Sequence, residues 1–142
     1  MAFKSLFAGT VAGLILAIFL FVIEWITGNR VYTLLMNVDF VINDIPLILE
    51  WLLHMTISWG ISLIFVVLIR MKTYPSIKIQ WSIVCILSGL ASLSYFPLTI
   101  IAKKETPSVL DMEAIFYWLI GHILYAIIFM KVFRSNVKIG CR

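Results

Sequence analysis

Charge is what this chain has least of. Charged residues make up 13% of its 142 positions, about half the share of an ordinary soluble domain. Hydrophobic residues make up 63%, and the mean hydropathy is +1.08. A water-soluble fold of this size has no interior large enough for so much apolar surface, so the solvent has to be lipid. Cysteine is scarce too. Cys85 sits inside an apolar run and Cys141 next to the last residue, which excludes a disulfide framework and a zinc-type cysteine pair. No glycine-rich phosphate loop, nucleophile elbow or basic-aromatic nucleic-acid surface is present. No serine or cysteine is spaced against a base as a hydrolase requires. The chain reads as a single, non-enzymatic membrane domain over 1–142, with the bilayer as its partner and no cofactor or nucleic acid.

Four apolar runs remain, at about 6–26, 47–69, 79–102 and 112–133. Each is long enough to cross a bilayer as a helix and far too long for a barrel strand. The fold class is therefore all-α, a polytopic bundle of four transmembrane helices. The first run ends in Ile23-Glu24-Trp25-Ile26, a poor cleavage site, so it is expected to stay as an anchor. Between the first two runs, Val31, Leu34, Leu35, Val38, Val41, Ile42 and Ile45 share one helical face, with Thr33, Asn37, Asp39, Asn43 and Asp44 largely opposite. That pattern predicts an amphipathic helix at about 31–43 in the outer interface. Pro46 marks the start of the second span. Pro97 is expected to kink the third span or mark its last turn, and Ser108 to cap the fourth through Ser108-Val109-Leu110-Asp111. The tail from Arg134 is polar and basic.

Lys and Arg placement sets the orientation. With four spans, Lys4, the Arg70/Lys72/Lys78 loop and the C-terminal Lys131, Arg134, Lys138 and Arg142 share one side. Only Arg30, Lys103 and Lys104 lie on the other. Eight against three predicts a multi-pass plasma-membrane protein with both termini in the cytoplasm.

Ionisable residues inside the spans are the candidate site, because burying them in lipid is costly. Glu50, His54, Ser58 and Ser62 recur every fourth residue, so they form one stripe on the second helix. Glu24 and Glu50 fall at one depth, about 6 Å inside the outer edge, and His54 and His122 at about 12–13 Å. On the fourth helix Trp118, His122, Tyr125 and Phe129 share a face. The cluster Glu24, Glu50, His54 and His122 has three readings. It relays protons or ions in a small transporter or channel. It binds a divalent metal such as zinc. Or the carboxylates snorkel while the histidines hydrogen-bond between helices, a structural role. Gly9 and Gly13 form a GxxxG seam suited to close helix packing, within the chain or in a homo-oligomer. Trp25, Trp51 and Trp81 suit an interfacial belt, and Trp59 and Trp118 suit packing.

The order of these features resembles the YagU family of bacterial inner-membrane proteins. The likeness rests on Ala12-Gly13 with Glu24-Trp25, then His54 with Ser58 and Phe65, then Phe96-Pro97-Leu98 with Pro107, and then Gly121-His122 before a basic end. It implies a bacterial inner-membrane protein of uncharacterised role and transfers no catalytic residues. Apart from the resemblance, the first functional reading is a non-enzymatic protein acting through helix association.

Overall fold

The structure is a computed structural model and describes residues 1–39, 46–72 and 75–139, the last four of these by backbone alone. Six helices follow one another: α1 Ala2–Thr27, α2 Val31–Met36, α3 Leu47–Arg70, α4 Ile77–Ser92, α5 Tyr95–Ile101 and α6 Met112–Ile139. The described residues contain no strand. Four stretches are long and apolar enough to cross a membrane: α1, α3, α4 with α5, and α6.

α1 is the axis of the bundle. It packs antiparallel against both α3 and α6, and α4 packs against α6 and, more sparsely, against α3. Small residues make this possible. Ala8, Gly9, Ala12, Gly13 and Ala17 are all buried along one face of α1. A Cβ at Gly9 would collide with Ser62 Oγ and stand 3.1 Å from the Ser58 carbonyl oxygen. One at Gly13 would stand 3.1 Å from Ser58 Oγ. The GxxxG seam is thus filled by α3 of the same chain. Gly121 serves the same end on α6, since a Cβ there would approach Leu16 Cδ1 to 2.7 Å. At the end of the bundle away from Gly28, Phe65, Phe129 and Phe133 are buried together, with Phe65 5.0 and 5.1 Å from the other two ring centroids.

α1 stops at Gly28, whose φ of 75° suits a residue without a Cβ and lets its N–H close onto the Glu24 carbonyl at 2.8 Å. The chain then turns into α2. This helix is shorter than the expected 31–43 helix, and its apolar side is buried against the bundle: Val31 and Leu34 are fully enclosed. These six residues, at the Gly28 end of the bundle, find enough protein surface to cover them, so α2 acts as a plug. The remaining residues of that expectation, Val41, Ile42, Asn43, Asp44 and Ile45, lie outside the described residues.

One further expectation is corrected and two are sharpened. The third span is not one helix, and its break falls at Leu93–Ser94, ahead of Pro97. Proline has no N–H for the Leu93 carbonyl and its ring crowds that oxygen. The carbonyl instead takes the Phe96 N–H at 3.3 Å, and the helix restarts at Tyr95. The N-cap of α6 is Asp111, not Ser108. Asp111 Oδ1 accepts from the Glu113 and Ala114 N–H groups at 3.1 and 3.0 Å. Ser108 serves through its carbonyl, which accepts from Tyr95 Oη at 2.8 Å and from the Asp111 N–H at 3.1 Å. Finally, the fourth candidate span, Met112–Ser135, agrees with the expected 112–133, and the helix itself runs on to Ile139 through most of the basic tail.

Candidate functional site: a two-histidine cavity

The stripe on α3 is a ladder of hydrogen bonds to α1. His54 Nε2 lies 3.1 Å from the Gly13 carbonyl oxygen. One turn deeper, Ser58 Oγ donates to the Gly9 carbonyl at 2.8 Å. Another turn on, the Ser62 carbonyl accepts from Ser5 Oγ at 2.8 Å. The absence of side chains at Gly9 and Gly13 is what exposes those carbonyls to α3. Ser58 Oγ also lies 3.0 Å from Tyr125 Oη. A serine hydroxyl has one proton, and here it goes to Gly9, so Tyr125 is the donor in that bond.

On α6, Trp118, His122, Tyr125 and Phe129 all turn inward, none more than 7% exposed. Trp118 Nε1 donates to the Ser92 carbonyl at 2.9 Å. His122 stacks on Trp118 at a centroid distance of 5.0 Å. Its Nδ1 is 2.9 Å from the Trp118 carbonyl one turn back, and its own carbonyl accepts from Ser88 Oγ at 2.6 Å.

His54 and His122 come from different helices and line one cavity of about 190 Å³. Leu16, Leu35, Ile57, Ile61, Ala91 and Leu98 supply apolar wall, and Ser58, Ser94, Trp118 and Tyr125 complete it. Ser94, at the helix break, lies on this surface.

The two carboxylates of the expected cluster do not join the histidines at the cavity. Glu24 turns to α2, where Oε2 accepts the Thr33 N–H and Oε1 the Thr33 hydroxyl, both at 2.7 Å. It therefore caps the plug. Glu50 is buried and pairs with Lys104 Nζ at 2.7 Å. Lys104 is held in place by Asp39, whose carboxylate accepts the Lys104 N–H at 2.6 Å and the Lys103 N–H at 3.2 Å to each oxygen. Asp39, Lys104 and Glu50 thus tie three segments together across the end of the bundle that carries α2. Below them Trp51 meets the His54 ring edge-on at 6.3 Å and lies 6.4 Å from Tyr32. Burial raises the Tyr32 phenol above its ordinary value; Trp51 opposes the rise, and the Glu50 and Glu24 carboxylates add to it.

With the carboxylates engaged elsewhere, the metal reading loses its ligands. Among the described residues no group of three or more His, Cys, Asp or Glu stands together as a metal site would need. Asp39 and Lys104 are the residues that sequence reasoning missed. Asp39 was placed on the polar face of an interfacial helix and Lys104 in a loop, and nothing local distinguishes either from a solvated charge. No protein-family model, curated protein or solved structure matches the chain.

Proposed function

We propose that this is a non-enzymatic, multi-pass protein of the bacterial plasma membrane that holds a small molecule in the two-histidine cavity. The observation that carries the reading is the convergence of His54 and His122 on one mostly apolar hollow. Apolar walls with a few converging polar groups are the usual makeup of a small-ligand site. Retention rather than passage is supported by what lies at either end. Toward the outside stand α2, Trp51 and the Glu50–Lys104 pair. Toward the inside stand the buried rings of Phe65, Phe129 and Phe133. A polar file across the bilayer would have to pass that aromatic block.

Reconstitution separates this reading from the proton- or ion-conducting one. Vesicles carrying the protein are expected to show no pH-dependent flux above protein-free vesicles. His54→Ala is expected to lower stability by about 0.5–2 kcal/mol, the range for hydrogen bonds between membrane helices. A wild-type flux abolished by His54→Ala in a folded protein would replace holding with conduction. Helix association is left without its clearest seam, because Gly9 and Gly13 are covered by α3.

The orientation belongs to the same proposal. The eight-to-three bias of Lys and Arg supports cytoplasmic termini, and the YagU resemblance agrees with a bacterial inner membrane. Single cysteines at the exposed positions Arg30 and Glu105 are expected to react with an impermeant reagent added outside intact cells, and those in 71–77 only after lysis. Labelling of 71–77 from outside would reverse the orientation.

A further inference from the structure

Resting on that reading, we infer that the cavity selects a neutral, lipid-soluble hydrogen-bond donor of the phenol class, which enters sideways from the bilayer between α3 and α5. The argument begins with proton positions. A backbone carbonyl can only accept, so a neutral His54 bonded to the Gly13 oxygen carries its proton on Nε2 and leaves Nδ1 as an acceptor. By the same logic His122 carries its proton on Nδ1, toward the Trp118 carbonyl, and leaves Nε2 as an acceptor. Neither remaining ring nitrogen has a partner among the described residues, and neither is sealed from access. The other donors on the cavity wall are already committed. Ser58 gives its proton to Gly9, Tyr125 gives its own to Ser58, and Trp118 gives its indole proton to Ser92. Only the Ser94 hydroxyl has no such bond. The surface facing a guest is therefore rich in acceptors and poor in donors.

That balance fixes the guest's polarity. A molecule that brings only acceptors leaves the histidine nitrogens unmatched, whereas one with a hydroxyl or N–H satisfies them. No carboxylate lines the hollow, so nothing there would offset the desolvation of a cation. The walls are aliphatic and aromatic, and a space of about 190 Å³ suits a guest of roughly six to eight heavy atoms. The route follows from the packing. α3 and α4 touch only sparingly. Ile57 lines the cavity yet is 63% exposed on the bundle's side, facing what would be lipid. Leu98 and Ser94 stand across that gap from it.

Phenol and toluene test this, since they share a shape and differ by hydroxyl against methyl. Binding to the purified full-length protein in detergent is measured by thermal shift and titration, with each ligand corrected for its partition into the micelle. Phenol is expected to bind about tenfold tighter than toluene, the worth of one buried hydrogen bond. His122→Phe, which keeps the ring stack on Trp118, is expected to erase most of that preference. His122→Gln, which returns an acceptor at similar reach, is expected to restore it. A shift of the His122 Nε2 nitrogen resonance on adding phenol reports the same bond in the unaltered protein. Equal or tighter binding of toluene overturns the donor selectivity while leaving a ligand-holding cavity. Binding of neither overturns the proposed function as well. A phenol preference unchanged in both His122→Phe and His54→Phe overturns the assignment to these nitrogens.

Discussion

Replacing Gly9 and Gly13 together by Leu is expected to cost about 3–6 kcal/mol, enough to collapse the bundle in mild detergent. The bulk has nowhere to go. Even a single Cβ at Gly9 displaces the Ser62 hydroxyl and presses on the Ser58 carbonyl, which is fixed backbone. A Leu at both sites pushes α3 off α1, and the bonds from His54, Ser58 and Ser5 across that seam break together. Thermal melts followed by size-exclusion chromatography would show early loss of the monodisperse peak. Unchanged melting would mean that α1 and α3 do not meet at these glycines. Gly28→Leu in the same assay is a useful contrast, because a side chain there meets open space and only the positive φ resists it.

The second large effect is expected at Asp39. Asp39→Ala leaves the Lys103 and Lys104 N–H groups without their carboxylate and loosens the lysine that neutralises buried Glu50. Lost charge-assisted hydrogen bonds of this kind come to about 2–4 kcal/mol. The Arg30–Glu105 pair sets the scale for an ion pair in the open. Both partners are at least half exposed, and Glu105→Ala is expected to change stability by less than about 1 kcal/mol. Equal, small effects at Asp39 and Glu105 would show that the outer network does not hold the loops. The melting temperatures of the two variants, side by side, decide it.

These two sites also mark the boundary of what the chain reveals before it folds. The α3 face was legible because helix geometry alone puts Glu50, His54, Ser58 and Ser62 in line, whereas its pairing with the small face of α1 was not. The inward row Trp118–His122–Tyr125–Phe129 was legible for the same reason. The shared level of His54 and His122 along the bundle was legible from counting residues, since both line one cavity. Rotation about the helix axis was not, so Glu24 and Glu50 looked like companions of the histidines when each had a nearer partner outside the four spans, Thr33 in α2 and Lys104 in a loop. Thr33 lies nine residues from Glu24, while Lys104 lies 54 residues from Glu50. The latter contact depends on how the α5–α6 connection folds back over the bundle, which no local periodicity encodes. The break at Leu93–Ser94 was half legible. Pro97 announced it, and the i−4 rule places the disturbance at the residue whose carbonyl the proline fails to serve.

Nitrogen chemical shifts of ring-labelled histidine in lipid bilayers test the central claim most directly, because the two tautomers of imidazole are distinct by this measure. The account predicts two different neutral tautomers in one protein, His54 protonated on Nε2 and His122 on Nδ1, with each assignment made by replacing the other residue by Gln. It also predicts that the unprotonated nitrogen of each ring responds to a guest such as phenol. Matching tautomers at the two positions, or rings indifferent to any guest and broadened instead by paramagnetic lipid at the protein surface, would contradict a shared interior cavity.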